Sequence, residues 1–120
     1  SGSFDDITEK IQISQASQLL PTNGSLFCFV FTTPKYFQTR VPTIASTWLG
    51  RCDHGEFYTS KAIPSYVIRG DNGQIDVNIP YSTVFNQIPD DYELLFSKSL
   101  LALRFSYRMY PDFDWYYKVN

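Results

Sequence analysis

Residues 25–31 read SLFCFVF, and their apolar part, residues 26–31, is the longest apolar run in the chain. A continuous run of this length is typical of a strand that is buried on both faces, as in a parallel sheet. The turn-forming residues PTNG at positions 21–24 come directly before it and break the preceding segment. We therefore expect the first strand of a sheet over residues 25–31.

A helix is predicted after this strand. Apolar residues recur there at helical spacing, and Gly50 follows as a stop signal. Proline is tolerated only in the first turn of a helix, so Pro42 predicts that the regular helix begins around residues 39–41. Trp48 is expected to lie in the core. The recurring residues are Phe37, Val41, Ile44, Ala45 and Trp48.

Further strands are predicted along the next part of the chain. The stretches GEFYTS (55–60) and SYVIR (65–69) predict a second and a third strand. Residues 70–91 are rich in Asp, Asn, Pro and Gly, which indicates an irregular crossover. Within it, QIDVNI (74–79) alternates between apolar and polar residues and predicts an edge strand.

The last third of the chain predicts a helix and a strand. Apolar residues at offsets of four, seven, eleven and fourteen form a helical pattern, namely Phe96, Leu100, Leu103, Tyr107 and Tyr110. DWYYKV (114–119) predicts a buried terminal strand, and Asp112 and Asp114 in DFD are expected in a turn before it. The alternation of strands and helices predicts an open, mostly parallel α/β sheet with flanking helices.

The composition limits the class of protein. The chain has 120 residues and a mass of 13.9 kDa, enough for one modest domain or part of one. Its 43% hydrophobic and 18% aromatic content excludes a disordered segment. A net charge of −2 gives no general attraction to nucleic acid. We expect residues 1–24 to form a linker or N-terminal arm, and residues 25–120 to form the domain.

The chain has two cysteines, Cys28 and Cys52, and one histidine, His54. This set is too small for a structural zinc site, which needs four ligands. A disulfide, two buried free thiols and a Cys/His nucleophile all remain open. Asn23-Gly24-Ser25 is a glycosylation sequon, and a glycosylated Asn23 would indicate a secretory, oxidising compartment in which a disulfide forms.

Ligands of open α/β sheets bind at the carboxyl ends of the strands. After the first strand, Thr32 and Thr33 offer hydroxyl and backbone donors, while Lys35 and Arg40 supply positive charge. After the second strand come Thr59, Ser60 and Lys61. These residues could hold a diphosphate or a sugar nucleotide. The alternative is an ordinary turn with solvated cations, since the sequence has no glycine-rich phosphate loop.

Residues 26–60, and more loosely the remainder of the chain, resemble the fringe and core 1 β1,3-galactosyltransferase family of Golgi glycosyltransferases. The resemblance rests on an ordered set of short motifs, with residues 70–91 poorly matched. Fringe-like features are Thr32-Thr33, Thr39-Arg40 and Thr47-Trp48; core 1-like features are Cys28, Thr47-Trp48, Arg51-Cys52 and Thr59-Ser60. Lys98 on a helix before DFDWYYKVN also fits the family pattern.

The resemblance implies a Rossmann-like GT-A fold, of which this chain would be the N-terminal, nucleotide-binding half. Donor contacts carried over onto this sequence are Thr32, Thr33, Arg40, Ser60 and Lys98. In the family, the strand matching residues 116–119 leads into a DxD motif whose carboxylates hold Mn²⁺. The parent enzyme is therefore expected to use Mn²⁺, and this chain, without that motif, is expected to be inactive alone.

The resemblance also implies partners and a location. The expected donor is a UDP-sugar, the transferred sugar a hexose such as galactose, and the acceptor a hydroxyl group of a glycoprotein. The parent is expected to be a type II membrane protein of the Golgi or endoplasmic reticulum lumen. The alternative is a chaperone-like relative of core 1 galactosyltransferase that lacks the metal motif. Self-association through the edge of the sheet is expected as well.

Overall fold

The apolar run after PTNG is the central strand of a sheet. In the computed structural model, which describes residues 10–89 and 95–119, strand β1 (Asn23–Phe31) lies between β2 (His54–Tyr58) and β6 (Asp112–Lys118) and runs parallel to both. A short strand, β5 (Tyr81–Ser82), pairs in parallel with β2, so the strand order is β5-β2-β1-β6. The predicted parallel α/β sheet with flanking helices is confirmed.

Each face of this sheet is covered by one of the predicted helices. Helix α2 (Arg40–Thr47) packs with Cys28 and Val30 on one face, and helix α3 (Leu95–Met109) packs with Phe27 and Phe29 on the other. Successive side chains of a strand point to opposite faces, so the uninterrupted apolar run of β1 serves two cores. Both helices are where the spacing of apolar residues predicted them.

The third predicted strand is present, but the prediction that it belongs to the parallel sheet was wrong. Strand β3 (Tyr66–Gly70) pairs antiparallel with β4 (Gly73–Val77) in a separate two-stranded sheet. The two-residue loop Asp71-Asn72 joins them, and Gly73 adopts a φ of +112°, which favours glycine. The fourth strand of the parallel sheet is instead β5, which is too short to give a periodic pattern.

Strand β6 differs from the prediction in two ways. Asp112 and Asp114 belong to the strand itself, because Asp112 pairs with Asn23 and not with a turn partner. The strand is also not buried on both faces: Trp115 is 71% exposed and Tyr117 is 50% exposed. In the described sheet β6 is the outermost strand on this side, so only β1 pairs with it. Self-association through this edge stays a prediction.

Trp48 also lies outside the core. Its side chain is 45% exposed and follows directly after the last residue of α2, next to a short 3-10 helix (Leu49–Arg51). In this region the side chain of Leu49 is buried and packs in the core. The helical pattern was therefore right up to Ala45, and α2 ends at Thr47, one residue before Trp48.

The two cysteines are joined. Cys28 in β1 and Cys52, just before β2, form a disulfide with a Cα–Cα distance of 6.0 Å. This confirms one of the three open alternatives and removes both cysteines as nucleophiles. Asn23 is exposed at the first residue of β1, and its glycosylation remains a prediction.

Residues 10–22 pack against the β5 side of the sheet. Ile13 forms an antiparallel bridge with Ser82, and Thr83 N donates to Gln12 O at 2.9 Å. A short helix follows, α1 (Gln15–Gln18), which Ser14 caps by accepting a hydrogen bond from Ser17 N. Across residues 10–89 and 95–119, no helix combines the length and apolarity that crossing a bilayer requires.

Candidate functional site

The carboxyl ends of three parallel strands meet at one edge of the sheet. Thr32, directly after β1, continues the ladder by donating its N–H to Tyr58 O at 3.0 Å. Val119, directly after β6, donates its N–H to Phe29 O at 2.9 Å. The segments that leave the strands here are therefore held at fixed positions, at the edge where open α/β sheets bind their ligands.

A cleft with a volume of about 170 Å³ opens at this edge. It gathers side chains from the tip of β1, the following 3-10 helix (Pro34–Tyr36), α2, α3 and the turn after β5. The lining residues are Phe31, Thr32, Thr33, Tyr36, Arg40, Ile44, Phe85 and Lys98. Pockets that enclose whole drug-sized ligands are larger, about 300–1,000 Å³. This cleft can therefore enclose one part of a nucleotide and not all of it.

Two cations of the cleft rest on aromatic rings. The guanidinium of Arg40 lies 4.1 Å from the centroid of the Tyr36 ring, and Lys98 Nζ lies 5.4 Å from that of Phe85. Such contacts attract a cation to the face of the ring and hold it in position. Arg40 begins α2 and Lys98 lies on α3, so positive charge reaches the cleft from both layers of helices.

The threonines supply hydroxyl groups between these cations. Thr33 precedes the 3-10 helix but its side chain does not cap that helix, and Thr32 Oγ1 makes a long contact of 3.5 Å with Thr33 O. Hydroxyl groups beside an arginine and a lysine are a donor set suited to phosphate or sugar oxygens.

Four of the five residues predicted as nucleotide contacts thus line one cleft. Ser60 does not belong to this lining: it lies two residues beyond the end of β2, at the neighbouring strand tip. Thr59, between them, is fully buried and its hydroxyl donates to Lys61 O at 3.0 Å. Lys35 lies with its Nζ 5.6 Å from the Tyr36 ring.

The sequence did not identify the aromatic part of the cleft. Tyr36 lies within the TTPKYFQTR loop but outside the predicted contacts, and Phe85 falls in the poorly matched segment 70–91. A signal for Tyr36 exists in its place between two basic residues, Lys35 and Arg40, in PKYFQTR. Phe85 carries no local signal, because its role depends on the turn that follows β5.

A second polar cluster lies buried in the body of the domain. His54 and Glu56 on β2 are fully buried, with His54 Nε2 2.6 Å from Glu56 Oε1. Pro21 O accepts a hydrogen bond from His54 Nδ1 at 2.8 Å. The carboxylate of Glu56 also accepts hydrogen bonds from the hydroxyls of Ser17 and Ser82.

This cluster contains a serine, a histidine and a glutamate, but its arrangement is structural. Ser17, His54 and Glu56 are at most 1% exposed, so no substrate reaches them. The Ser17 hydroxyl donates its hydrogen bond to the carboxylate of Glu56 and lies 3.3 Å from His54 Nε2, whereas a nucleophilic serine would donate to the histidine. The four side chains satisfy one another and tie residues 14–21 to β2 and β5.

Burial and the charge of Glu56 act on two neighbouring tyrosines. Burial, and next the negative charge of Glu56, raise the pKa of Tyr58 well above its ordinary value. The same two causes, in the same order, raise the pKa of Tyr110. Both hydroxyls therefore stay protonated across the physiological range. Tyr58 uses its hydroxyl in a 2.6 Å hydrogen bond with Ser106 Oγ.

Among the residues that the structure describes, neither site offers a ligand set for a metal ion. In the described part of the chain, no three residues among His, Cys, Asp and Glu lie close enough together to share one. The side chains described around the cleft are hydroxyls, rings and cations, which repel Mn²⁺ or bind it weakly. Asp112 and Asp114 lie near the amino end of β6, away from the cleft.

Comparisons with protein-family models, with curated proteins and with solved structures found no match to this chain.

Proposed function

We propose that this chain binds a UDP-sugar and forms the nucleotide-binding half of a metal-dependent glycosyltransferase with a GT-A fold. One observation carries the proposal: Thr32, Thr33, Arg40 and Lys98, chosen from the sequence, come from three separate elements and line one cleft at the carboxyl edge of a parallel sheet. This edge is where open α/β sheets bind nucleotides.

Each group of the cleft has a task in this proposal. Arg40 and Lys98 neutralise the phosphates, and arginine does so through paired hydrogen bonds. The hydroxyls of Thr32 and Thr33 donate to phosphate or ribose oxygens. The rings of Tyr36 and Phe85 position the cations, which lowers the entropy lost when a ligand binds.

The manganese ion of the proposed parent enzyme is not held by the described residues. Asp112 and Asp114 form an Asp-x-Asp pattern, but Asp112 lies six residues before the carboxyl end of β6. At about 3.3 Å per residue, it is roughly 20 Å from the edge that carries the cleft. The contribution of these residues is therefore the metal-independent part of donor binding.

The remainder of the proposal concerns the parent protein. The transferred group is a hexose such as galactose, and the acceptor is a hydroxyl of a glycoprotein. The Cys28–Cys52 disulfide supports an oxidising compartment such as the Golgi or endoplasmic reticulum lumen. A membrane anchor in the parent belongs to the same proposal.

Calorimetric titration of the 120-residue chain with UDP tests the nucleotide function. Wild-type chain is expected to bind UDP without added metal, and Arg40→Gln is expected to weaken binding about tenfold, because one charge-assisted contact is lost. Arg69→Gln is the matched control, since Arg69 lies in the β3–β4 hairpin outside the parallel sheet. It is expected to leave the affinity unchanged.

Chemical shifts locate the binding. UDP is expected to perturb the backbone resonances of residues 32–40, and a chain that shows no response at millimolar UDP contradicts the proposal. If the chain shows no response to UDP and instead binds a partly unfolded galactosyltransferase, the chaperone-like alternative is supported.

A further inference from the structure

We propose that a cavity beside β5 is a second binding site and takes a neutral saccharide. It lies where residues 12–19 pack against the two segments that flank the β3–β4 hairpin, residues 63–65 and 78–81. Its volume is about 340 Å³, within the range of about 300–1,000 Å³ in which pockets enclose small ligands. It shares no lining residue with the cleft at the carboxyl edge. Binding there does not depend on the nucleotide function proposed above.

One wall of the cavity is the turn of α1 and the residues before it. Ser14 Oγ accepts hydrogen bonds from Ser17 N at 3.1 Å and from Tyr81 N at 2.9 Å, which ties the start of α1 to β5. The side chain of Ser17 is buried on the inner side of α1. Gln15 and Leu19 line the cavity, and a spacing of four residues places them on one face of the helical turn. The fold therefore holds this wall in place before any ligand binds.

The polar groups of the cavity are neutral. None of the lining residues carries a charge, and side-chain amides come from both walls. Among the residues that the structure describes, five lining side chains make no hydrogen bond, namely Gln12, Gln15, Ser65, Asn78 and Tyr81. Tyr81 is only 8% exposed, yet its hydroxyl is not one of the fully buried atoms without a partner in the described part of the chain. This hydroxyl therefore reaches accessible space, where a ligand can supply its partner.

The chemistry of these groups selects the class of ligand. Amides and hydroxyls both donate and accept hydrogen bonds, as do the adjacent hydroxyl groups of a sugar ring. A phosphate or carboxylate is disfavoured, because the lining has no cation to pair with a buried negative charge. A wholly apolar ligand would leave the amides and hydroxyls without partners. Leu19, Ile63 and Ile79 supply apolar surface for the C–H groups of the sugar ring.

NMR titration of the isotope-labelled 120-residue chain with glucose, galactose, mannose and N-acetylglucosamine, each in turn, tests this site. At least one sugar is expected to shift backbone resonances within residues 12–19, 63–65 and 78–81. A Kd of about 1 mM is expected, since the affinity rests on several modest hydrogen bonds. The uronate of the sugar that binds, in which a carboxylate replaces the CH₂OH group, is expected to bind more weakly.

Two variants remove one amide from each wall. Gln15→Ala and Asn78→Ala are each expected to weaken the sugar about threefold to tenfold, the effect of one hydrogen bond. Both side chains are exposed, so the melting temperature is expected to stay unchanged. Gln74→Ala is the matched control, because Gln74 is an exposed amide on β4 that does not line the cavity. It is expected to leave the affinity for the sugar unchanged.

The residues of the cavity and those of the cleft report the outcome separately. Shifts at the cavity that both variants weaken support the saccharide site, whatever the response to UDP. If no sugar shifts the cavity resonances at about ten times the expected Kd, or if the uronate binds more tightly than its neutral sugar, the inference is overturned. If the sugar shifts only residues 32–40, the second site is wrong and the nucleotide function is unaffected. If both variants bind the sugar as tightly as wild type, or if Gln74→Ala weakens it equally, the cavity is not the site.

Discussion

His54 and Glu56, two residues apart on β2, form a fully buried pair with 2.6 Å between Nε2 and Oε1. Two side chains that far apart on one strand point to the same face, which places the imidazole ring and the carboxylate under α1. The pair is surrounded by donors and aromatic rings. The Phe27 ring stacks on that of His54 at a centroid distance of 4.7 Å.

Removing the carboxylate is expected to destabilise the fold strongly. Glu56→Gln leaves His54, Ser17 and Ser82 without their common charged partner, and breaking a buried pair costs about 3–5 kcal/mol. Urea denaturation measures this change in the free energy of unfolding. Ser82→Ala is expected to cost less, about 1.5–3 kcal/mol, since it removes one hydrogen bond to a charged group.

The control for this series is Ser46→Ala. Ser46 is exposed on α2, where its hydroxyl donates to Thr43 O, and its replacement is expected to change stability by less than about 0.5 kcal/mol. A Glu56→Gln variant as stable as Ser46→Ala would show that the buried network contributes nothing to folding.

Alkaline pH is expected to destabilise the fold through Tyr58 and Tyr110. Both have a raised pKa in the folded state, so above about pH 10 the unfolded chain loses these protons first. The linked stability is fully present below pH 10 and is lost as the pH rises further. Each tyrosine contributes a slope of about 1.4 kcal/mol per pH unit in that window.

Tyr110→Phe isolates one of these contributions. Urea titrations at several pH values from 8 upward are expected to give a shallower alkaline decline for this variant, by about one proton's slope. At pH 8 tyrosine is protonated in both states, so the difference in stability between the variant and the wild type at this pH is the reference for the higher pH values. An unchanged alkaline slope would mean that Tyr110 ionises equally in both states.

The disulfide is expected to contribute about 3 kcal/mol. It joins Cys28 to Cys52 across 24 residues, and closing a loop of this length in the unfolded chain removes a corresponding conformational entropy. Urea midpoints of the oxidised and reduced wild-type chain measure it directly. The Cys28→Ala, Cys52→Ala double variant is the control, and a reductant is expected to leave its midpoint where it is.

Two glycines provide a matched test of packing beside α2. A Cβ on Gly55 would lie 2.9 Å from Leu49 Cδ2 and 3.2 Å from the backbone oxygen of Leu49, while a Cβ on Gly50 would meet nothing within 4 Å. Gly55→Ala is expected to cost about 1–3 kcal/mol through overpacking. Gly50→Ala is expected to be neutral or slightly stabilising. Thermal denaturation of both variants decides, and equal melting temperatures would refute the close approach.

The elements that the sequence predicted well are those with a long periodic signal. The apolar run of β1 and the helical spacing from Phe96 to Tyr110 each extend over enough residues to identify the element. Asp71-Asn72 is a local signal for the β3–β4 hairpin, whereas the expectation for residues 70–91 was an irregular crossover. Strand β5 has two residues and no pattern, so only its pairing with β2 defines it.

The residues of the candidate site also divide into those with a local sequence signal and those without one. Thr32, Thr33 and Arg40 follow one strand within nine residues, so a rule about strand ends finds them. Phe85 reaches the same cleft from the turn after β5, and only the folded chain brings it there. The buried cluster is similar: 39 residues separate Ser17 from Glu56, and 26 separate Glu56 from Ser82.

That last separation bears on the order in which the domain assembles. When β2 packs beside β1, the carboxylate of Glu56 leaves water with only His54 of its own strand as a partner, because the hydroxyls that complete its hydrogen bonds belong to α1 and β5. The desolvated charge therefore opposes any intermediate in which only the central strands have formed, and it favours all-or-none folding across segments distant in the chain. A redesigned sheet that omits α1 or β5 would need an apolar residue at position 56.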